Sequence, residues 1–119
     1  MTLRIVNVTV DCAEPAGLAA WWAKALGGAV IADYGGYVFV RTDALALGFQ
    51  RVGEPRRGKN SVHLDLGAAD RPAEVARLTG LGAAEVGEHS APGMAWTIMR
   101  DPEGNEFCVC DLPEDSPAE

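Results

Sequence analysis

A pattern in the first half of this 119-residue chain comes round again in the second. Ile5-Val6-Asn7-Val8-Thr9-Val10 alternates apolar residues with others, the period-two signature of a strand whose faces differ. Glu14-Pro15 then opens a helix, since proline is tolerated in a first turn and an acid suits the positive end of the helix dipole. Leu18, Trp21, Trp22, Ala25 and Leu26 recur at helical spacing, and Gly27-Gly28 ends the run. Strand-like stretches follow at 29–32 and 37–40, with Gly35-Gly36 as the turn between them, and a last one spans 44–52.

After a Gly-, Pro- and charge-rich connector at about 53–60 the order begins again. Ser61-Val62-His63-Leu64-Asp65-Leu66 alternates in the same way, 70–79 reads as a helix with Pro72 in its first turn, and Gly80-Leu81-Gly82 closes it. Strands are expected at 84–87, 95–99 and 106–111, and the acidic tail 113–119 is expected to fray. The fold class is therefore α+β: two βαβββ modules, at about 1–53 and 61–112, making one domain. Each helix covers one face of its own sheet. Val6, Val8 and Val10, like Val62, Leu64 and Leu66, must face that helix, which turns Asn7, Thr9, His63 and Asp65 the other way. Leu45, Leu47 and Phe49 alternate with Ala46, Gly48 and Gln50, and Phe107 and Val109 with Glu106, Cys108 and Cys110. The helix-averted faces are either exposed to solvent or the lining of a cup between the halves.

Composition excludes several classes of function. A net charge of −7 argues against nucleic acid, because a duplex binder needs clustered Lys and Arg and only Arg56-Arg57-Gly58-Lys59 is locally basic. No apolar run is long enough to span a bilayer, and the chain start lacks the pattern of a signal peptide, so a cytoplasmic location is expected. Three cysteines with no CxxC pair do not suggest a disulfide framework.

Ser61-Val62-His63-Leu64-Asp65-Leu66 and Asp101-Pro102-Glu103-Gly104-Asn105-Glu106-Phe107, with Asp11-Cys12-Ala13-Glu14-Pro15, Leu18-Ala19-Ala20-Trp21-Trp22 and Leu26-Gly27, resemble the glyoxalase/bleomycin-resistance/dioxygenase (vicinal oxygen chelate) superfamily over nearly the whole chain. The resemblance implies that curved sheets of two βαβββ modules form a cup, and that the protein is a homodimer. In metal-dependent members one residue from the first and last strand of each module holds a divalent ion. The first-strand positions fall here on Asn7 and His63. The last-strand position of the second module falls on Cys108, where such members usually carry Glu, and Gln50 is the polar candidate in the first. One imidazole, two neutral amides and a thiol are a poor match for a site of imidazole and anionic oxygen. Asp65 and Glu106 share the face but are displaced by two residues, roughly 6–7 Å along a strand. The expectation is no cofactor, with a divalent metal as the alternative.

The candidate ligand-binding residues are Asn7, Thr9, Gln50, His63, Asp65, Trp96 and Cys108; no catalytic residue is assigned. His63 is a candidate ligand or general base, or else a lining side chain bonded to Asp65, Asn7 or water. His89 falls in a surface loop, where it has the option of acting as a lid. Trp96 or Met99 offers an apolar lining, and Tyr34, Tyr37 and Phe39 an aromatic one, with core packing the alternative. Of Trp21 and Trp22, about 100° apart on the helix, one belongs in the core and the other at the edge of a contact. The functional expectation is a glyoxalase/bleomycin-resistance-like protein that binds a small organic molecule. The alternatives are a lyase, isomerase or dioxygenase-type enzyme using His63 with an atypical metal site or acid–base chemistry, or an accessory protein whose cup face is a dimer interface. The glyoxalase I reaction is disfavoured, because it needs a metal to stabilise an enediolate.

Overall fold

Proline, glycine and one aspartate set the helix ends. The computed structural model describes residues 5–55, 58, 60 and 62–112. The chain start at 1–4, the basic Arg56, Arg57 and Lys59, Ser61 and the acidic tail 113–119 lie outside the described residues. Helix α1 (Pro15–Leu26) starts on Pro15, whose missing N–H would have had no helical partner, and stops at Gly27, where a φ of 67° is left-handed. Helix α2 (Arg71–Gly80) is capped by Asp70, whose carboxylate accepts the Ala73 N–H at 3.1 Å.

The chain divides into two compact units, Met1–Arg56 and Arg57–Glu119, with the boundary inside the 53–60 connector. In the first, β1 (Asn7–Cys12), β2 (Ala29–Asp33), β3 (Tyr37–Arg41) and β4 (Ala46–Arg51) form a sheet of order β1-β4-β3-β2. In the second, β5 (Asp65–Ala68), β6 (Ala84–Ala91), β7 (Met94–Arg100) and β8 (Glu106–Asp111) repeat it as β5-β8-β7-β6. The first and last strands of each unit pair in parallel and the other neighbours antiparallel. Even the bulges correspond, at Val30/Ala32 in β2 and Glu85/Gly87 in β6.

Alternation puts each core between helix and sheet. Val38, Val40, Leu47 and Phe49 are buried in the first unit, with Leu18, Trp21 and Trp22 of α1. Met99, Phe107 and Val109 are buried in the second, with Val75 and Leu78 of α2. Each large side chain so buried contributes about 1.5–3 kcal/mol of transfer free energy. Trp21 and Trp22 meet edge to face at 5.1 Å, and both are buried, so neither is left at an open edge.

Two sequence expectations change. Val6 and Val62 are exposed and precede their strands rather than facing the helices. Strand β5 starts only at Asp65 because Asn60 takes over the end of its partner strand: its Oδ1 accepts the Glu106 N–H at 2.7 Å and its Nδ2 donates to the Glu106 carbonyl at 3.2 Å. A side-chain amide there replaces the ladder bonds of a longer strand. His89 is not in a loop but in β6, opposite Trp96, with the two rings stacked at 5.9 Å. The polar run Glu88-His89-Ser90 looks like loop in sequence, yet β6 is a sheet edge, where polar residues are the rule.

Candidate functional site

Two buried polar fixtures hold the second module's strands in place. Asp101, 4% exposed, opens the turn from β7 to β8; its carboxylate accepts the N–H groups of Glu103 and Asn105 at 2.9 and 3.0 Å and the Asn105 side-chain amide at 2.9 Å. Gly104, with φ of 87°, closes the turn in a conformation that other residues rarely adopt. Arg71, with only 11% of its side chain exposed, donates to Glu88 of β6 at 2.7 Å, to Thr97 of β7 at 2.7 Å and to Asp111 of β8 at 3.1 Å. The Glu88 hydrogen bond, helped by Asp111 and opposed by desolvation, raises the Arg71 pKa above its ordinary value. An open groove of about 480 Å³ lies beside this arginine, between Val75, Thr79, Glu85 and Glu88. It is on the helix side of the sheet, away from the residues singled out in the sequence.

Those residues lie on the helix-averted faces. In the first unit the ladder sets Thr9, Gly48 and Phe39 in one cross-strand row, and Asp11, Gln50 and Tyr37 in the next. Asn7 Nδ2 donates to Thr9 Oγ1 at 2.9 Å, and that hydroxyl shares a 2.6 Å hydrogen bond with the Tyr37 hydroxyl. The Tyr37 ring stacks on Phe39 at 4.7 Å, and Tyr34, 75% exposed, meets Phe39 edge-on at 6.3 Å. The result is an aromatic platform with a polar border. Gln50 is exposed at the end of β4, beside Tyr37 in register. The platform depends on Gly48: a Cβ there would come within 2.8 Å of the Tyr37 ring.

In the second unit the same rows hold Asp65, Cys108 and Ile98, then Gly67, Cys110 and Trp96, with His89 continuing the second row. Trp96 thus corresponds to Tyr37, and Cys110 to Gln50. The counterpart of Cys108 is Gly48, not Gln50. His63 precedes β5, and its Nε2 lies 3.2 Å from Asp65 Oδ1. One potential donor atom each from His63, Asp65 and Cys108 lies within 4.8 Å of the other two. Burial pushes the Cys110 thiol pKa up, with Asp65 and Asp111 adding to the effect and Arg71 opposing it. None of the three cysteines forms a disulfide. The structure therefore brings together Asn7 and Thr9 with Tyr37 in one unit, and His63, Asp65 and Cys108 in the other. Gly48, Ile98 and Cys110 went unselected in the sequence as lining residues, although the alternation that exposed Gln50 and Cys108 applies equally to them.

A glyoxalase-like domain family model matches residues 7–110. The chain belongs to that family, within the vicinal oxygen chelate superfamily. A glyoxalase/bleomycin resistance protein/dioxygenase family enzyme from Burkholderia phytofirmans PsJN is similar in structure, with a TM-score of 0.76 and 15% identity over 89% of this chain and 96% of that one. A genomically encoded fosfomycin resistance protein from Listeria monocytogenes has a TM-score of 0.78 and 13% identity over 97% and 98% of the two chains. A lactoylglutathione lyase from Agrobacterium tumefaciens has a TM-score of 0.69 and 18% identity over 93% and 95%. No curated protein matches the chain. At these identities the structural matches establish the glyoxalase-like fold, and chemistry must be argued from the side chains. The divalent metal site that the superfamily implies takes one donor from the first and last strand of each module. Here those positions hold Asn7, Gly48, His63 and Cys108, and a glycine has no donor to offer. The residues do not fit the four-donor site. Among the described residues no helix is long and apolar enough to cross a membrane.

Proposed function

We propose that this glyoxalase-like protein binds a small planar organic molecule on the helix-averted faces of its sheets, without the four-donor metal site of the metal-dependent members, and that it does so as a homodimer. The observation that carries this reading is the first module's platform: stacked Tyr37 and Phe39, with the Asn7–Thr9–Tyr37 hydrogen-bond chain along one side. Flat apolar surface with a few fixed polar groups at its margin is what a site for a small aromatic ligand needs. Trp96, stacked with His89, supplies a second aromatic surface on the corresponding face of the other module.

A second reading, an enzyme of lyase, isomerase or dioxygenase type, is favoured by one observation, the His63–Asp65 pair beside Cys108, since a carboxylate at 3.2 Å can orient an imidazole for acid–base work. Native mass spectrometry on protein purified without metal-affinity resin reports subunit number and any co-purified ligand. Titration with a panel of planar aromatic compounds, followed by tryptophan fluorescence, then tests the platform. Tyr37→Ala is expected to weaken binding about tenfold, from the roughly 0.5–1.5 kcal/mol of an aromatic pair plus the lost hydroxyl. Equal affinity in wild type and Tyr37→Ala would remove the platform from the site. Turnover of a bound compound that His63→Ala abolishes would move the protein to the second reading.

A further inference from the structure

We propose that the first module selects planar aromatic carboxylates, with Arg41 as the side chain that takes the carboxylate. This rests on the aromatic platform as the ligand's seat and adds the polar group the ligand must carry.

Register places Arg41 at the platform's edge. Arg41, Ala46 and Asn7 form the cross-strand row next to the one that holds Phe39, Gly48 and Thr9. Residues two apart on a strand share a face, so Arg41 lies on the same helix-averted side as Phe39 and Tyr37. Two strand spacings, about 10 Å, separate the Cα atoms of Asn7 and Arg41, and only the small Ala46 stands between them. Strand β4 thus floors a trough with Ala46 and Gly48. Over Gly48 the trough is barred, because the Tyr37 hydroxyl reaches across to Thr9 there. Over Ala46 it is open. Phe39 is about 7 Å along β3 from Arg41. An aromatic acid lying on Phe39 spans that gap: its carboxyl carbon is about 3 Å from the ring centre, and a guanidinium paired with it is centred about 4 Å further on.

Donors dominate the border of this slot. Arg41 is exposed and has no hydrogen-bond or ion-pair partner among the described residues; Asp43, in the turn after β3, does not pair with it. Its planar fork matches a carboxylate. The hydroxyl pair adds one more donor. Thr9 Oγ1 already accepts the Asn7 amide, and the bond between Thr9 and Tyr37 uses one of their two hydroxyl protons. The other proton, whichever oxygen carries it, has no acceptor among the described residues and is free for a ligand oxygen. Asn7 keeps its second amide N–H as well, beside one acceptor, its Oδ1. The acid on this face, Asp11, stands in the row of Gln50 and Tyr37, about 13 Å along the strand from Asn7 and beyond the screening length of about 8 Å. The slot's local field is therefore that of Arg41, although the chain as a whole carries a net charge of −7.

The test is isothermal titration calorimetry with two probes of one shape, 2-naphthoate and its neutral amide, 2-naphthamide. Wild type is expected to bind the acid at least about tenfold more tightly, the effect of one charge-assisted hydrogen bond. Arg41→Met should bring that ratio to about one, and Arg41→Glu should reverse it; both change an exposed side chain, and far-UV circular dichroism with urea midpoints checks the fold. Equal affinity of wild type for the two probes, or a preference that survives Arg41→Met or Arg41→Glu, would overturn the inference. The platform itself would stand in that case if Tyr37→Ala weakened both probes. Failure of either probe to bind, or binding that Tyr37→Ala leaves unchanged, would overturn the platform and this inference together.

Discussion

Replacing Gly48 by alanine places a methyl group where the first module has left no room. The new Cβ would lie 2.8 Å from Cε1 and 3.2 Å from the hydroxyl of Tyr37, and 3.1 Å from Thr9 Oγ1. Carbon atoms settle at about 3.5–4.0 Å, so the Tyr37 ring must retreat by about 1 Å. It is stacked on Phe39 at 4.7 Å and bonded to Thr9 at 2.6 Å, and it cannot retreat and keep both contacts. Crowding of this kind costs about 1–3 kcal/mol, and the lost hydroxyl bond adds about 1 kcal/mol. Alanine recovers about 0.5–1 kcal/mol, because a glycine within a strand has more freedom to lose on folding. The net expectation is a destabilisation of about 1–3.5 kcal/mol, read from urea unfolding followed by circular dichroism and tryptophan fluorescence. In a Tyr37→Leu background the ring is gone and only Thr9 Oγ1 remains close, so the same substitution should cost at least about 1 kcal/mol less. Equal cost with and without the tyrosine ring, or no cost at all, would refute the claim that this glycine exists to seat Tyr37.

Two other predictions concern the second module's fixtures. Asp101→Ala should destabilise the protein by about 2–3 kcal/mol, because the Glu103 and Asn105 N–H groups lose their shared acceptor, and Asp101→Asn, which keeps one carbonyl oxygen, should cost less; comparison of urea midpoints decides. Arg71→Met should lower the midpoint more than Arg77→Met, whose exposed pair with Glu74 is of the kind contributing only about 0–1 kcal/mol. A group whose pKa is raised on folding gives stability that is complete below its unfolded value and is lost only as pH rises through the folded one. For an arginine that loss lies beyond ordinary conditions, so the gap between wild type and Arg71→Met should stay constant from about pH 7 to 10, and a gap that closes in that interval would contradict the ion-pair assignment.

Periodicity carries over long distances in this chain, and its limits are local. Both helices, the strand order of the repeat and the split of Leu47 and Phe49 from Gly48 and Gln50 follow from spacing, because burying one face of a pleated strand leaves no choice about the other. Strand β5 escaped because an amide side chain three residues before His63 ends the ladder, a long-range contact that no window of sequence displays. His89 escaped because edge strands and loops are polar for the same reason, contact with water. At the site, Asn7, Thr9, His63 and Asp65 were legible as one-faced residues. The Thr9–Tyr37 bond and the equivalence of Gly48 and Cys108, each fixed by the register of its own sheet, were not, since register across strands depends on turns and bulges whose effect is not additive along the chain.

The parallel pairing of first and last strand in each module has a kinetic meaning. Asn7 meets Ala46, and Asp65 meets Cys108, so each sheet closes over a loop of 39 or 43 residues and neither waits for the far end of the protein. Closure entropy grows only with the logarithm of loop length, but non-local pairing still governs how fast a small domain folds. The first module's sheet has all its strands once Arg51 has been made, well before β5 has been synthesised. Its half of the protein is therefore expected to be assembled on the ribosome as a unit, with the second module following by the same short route.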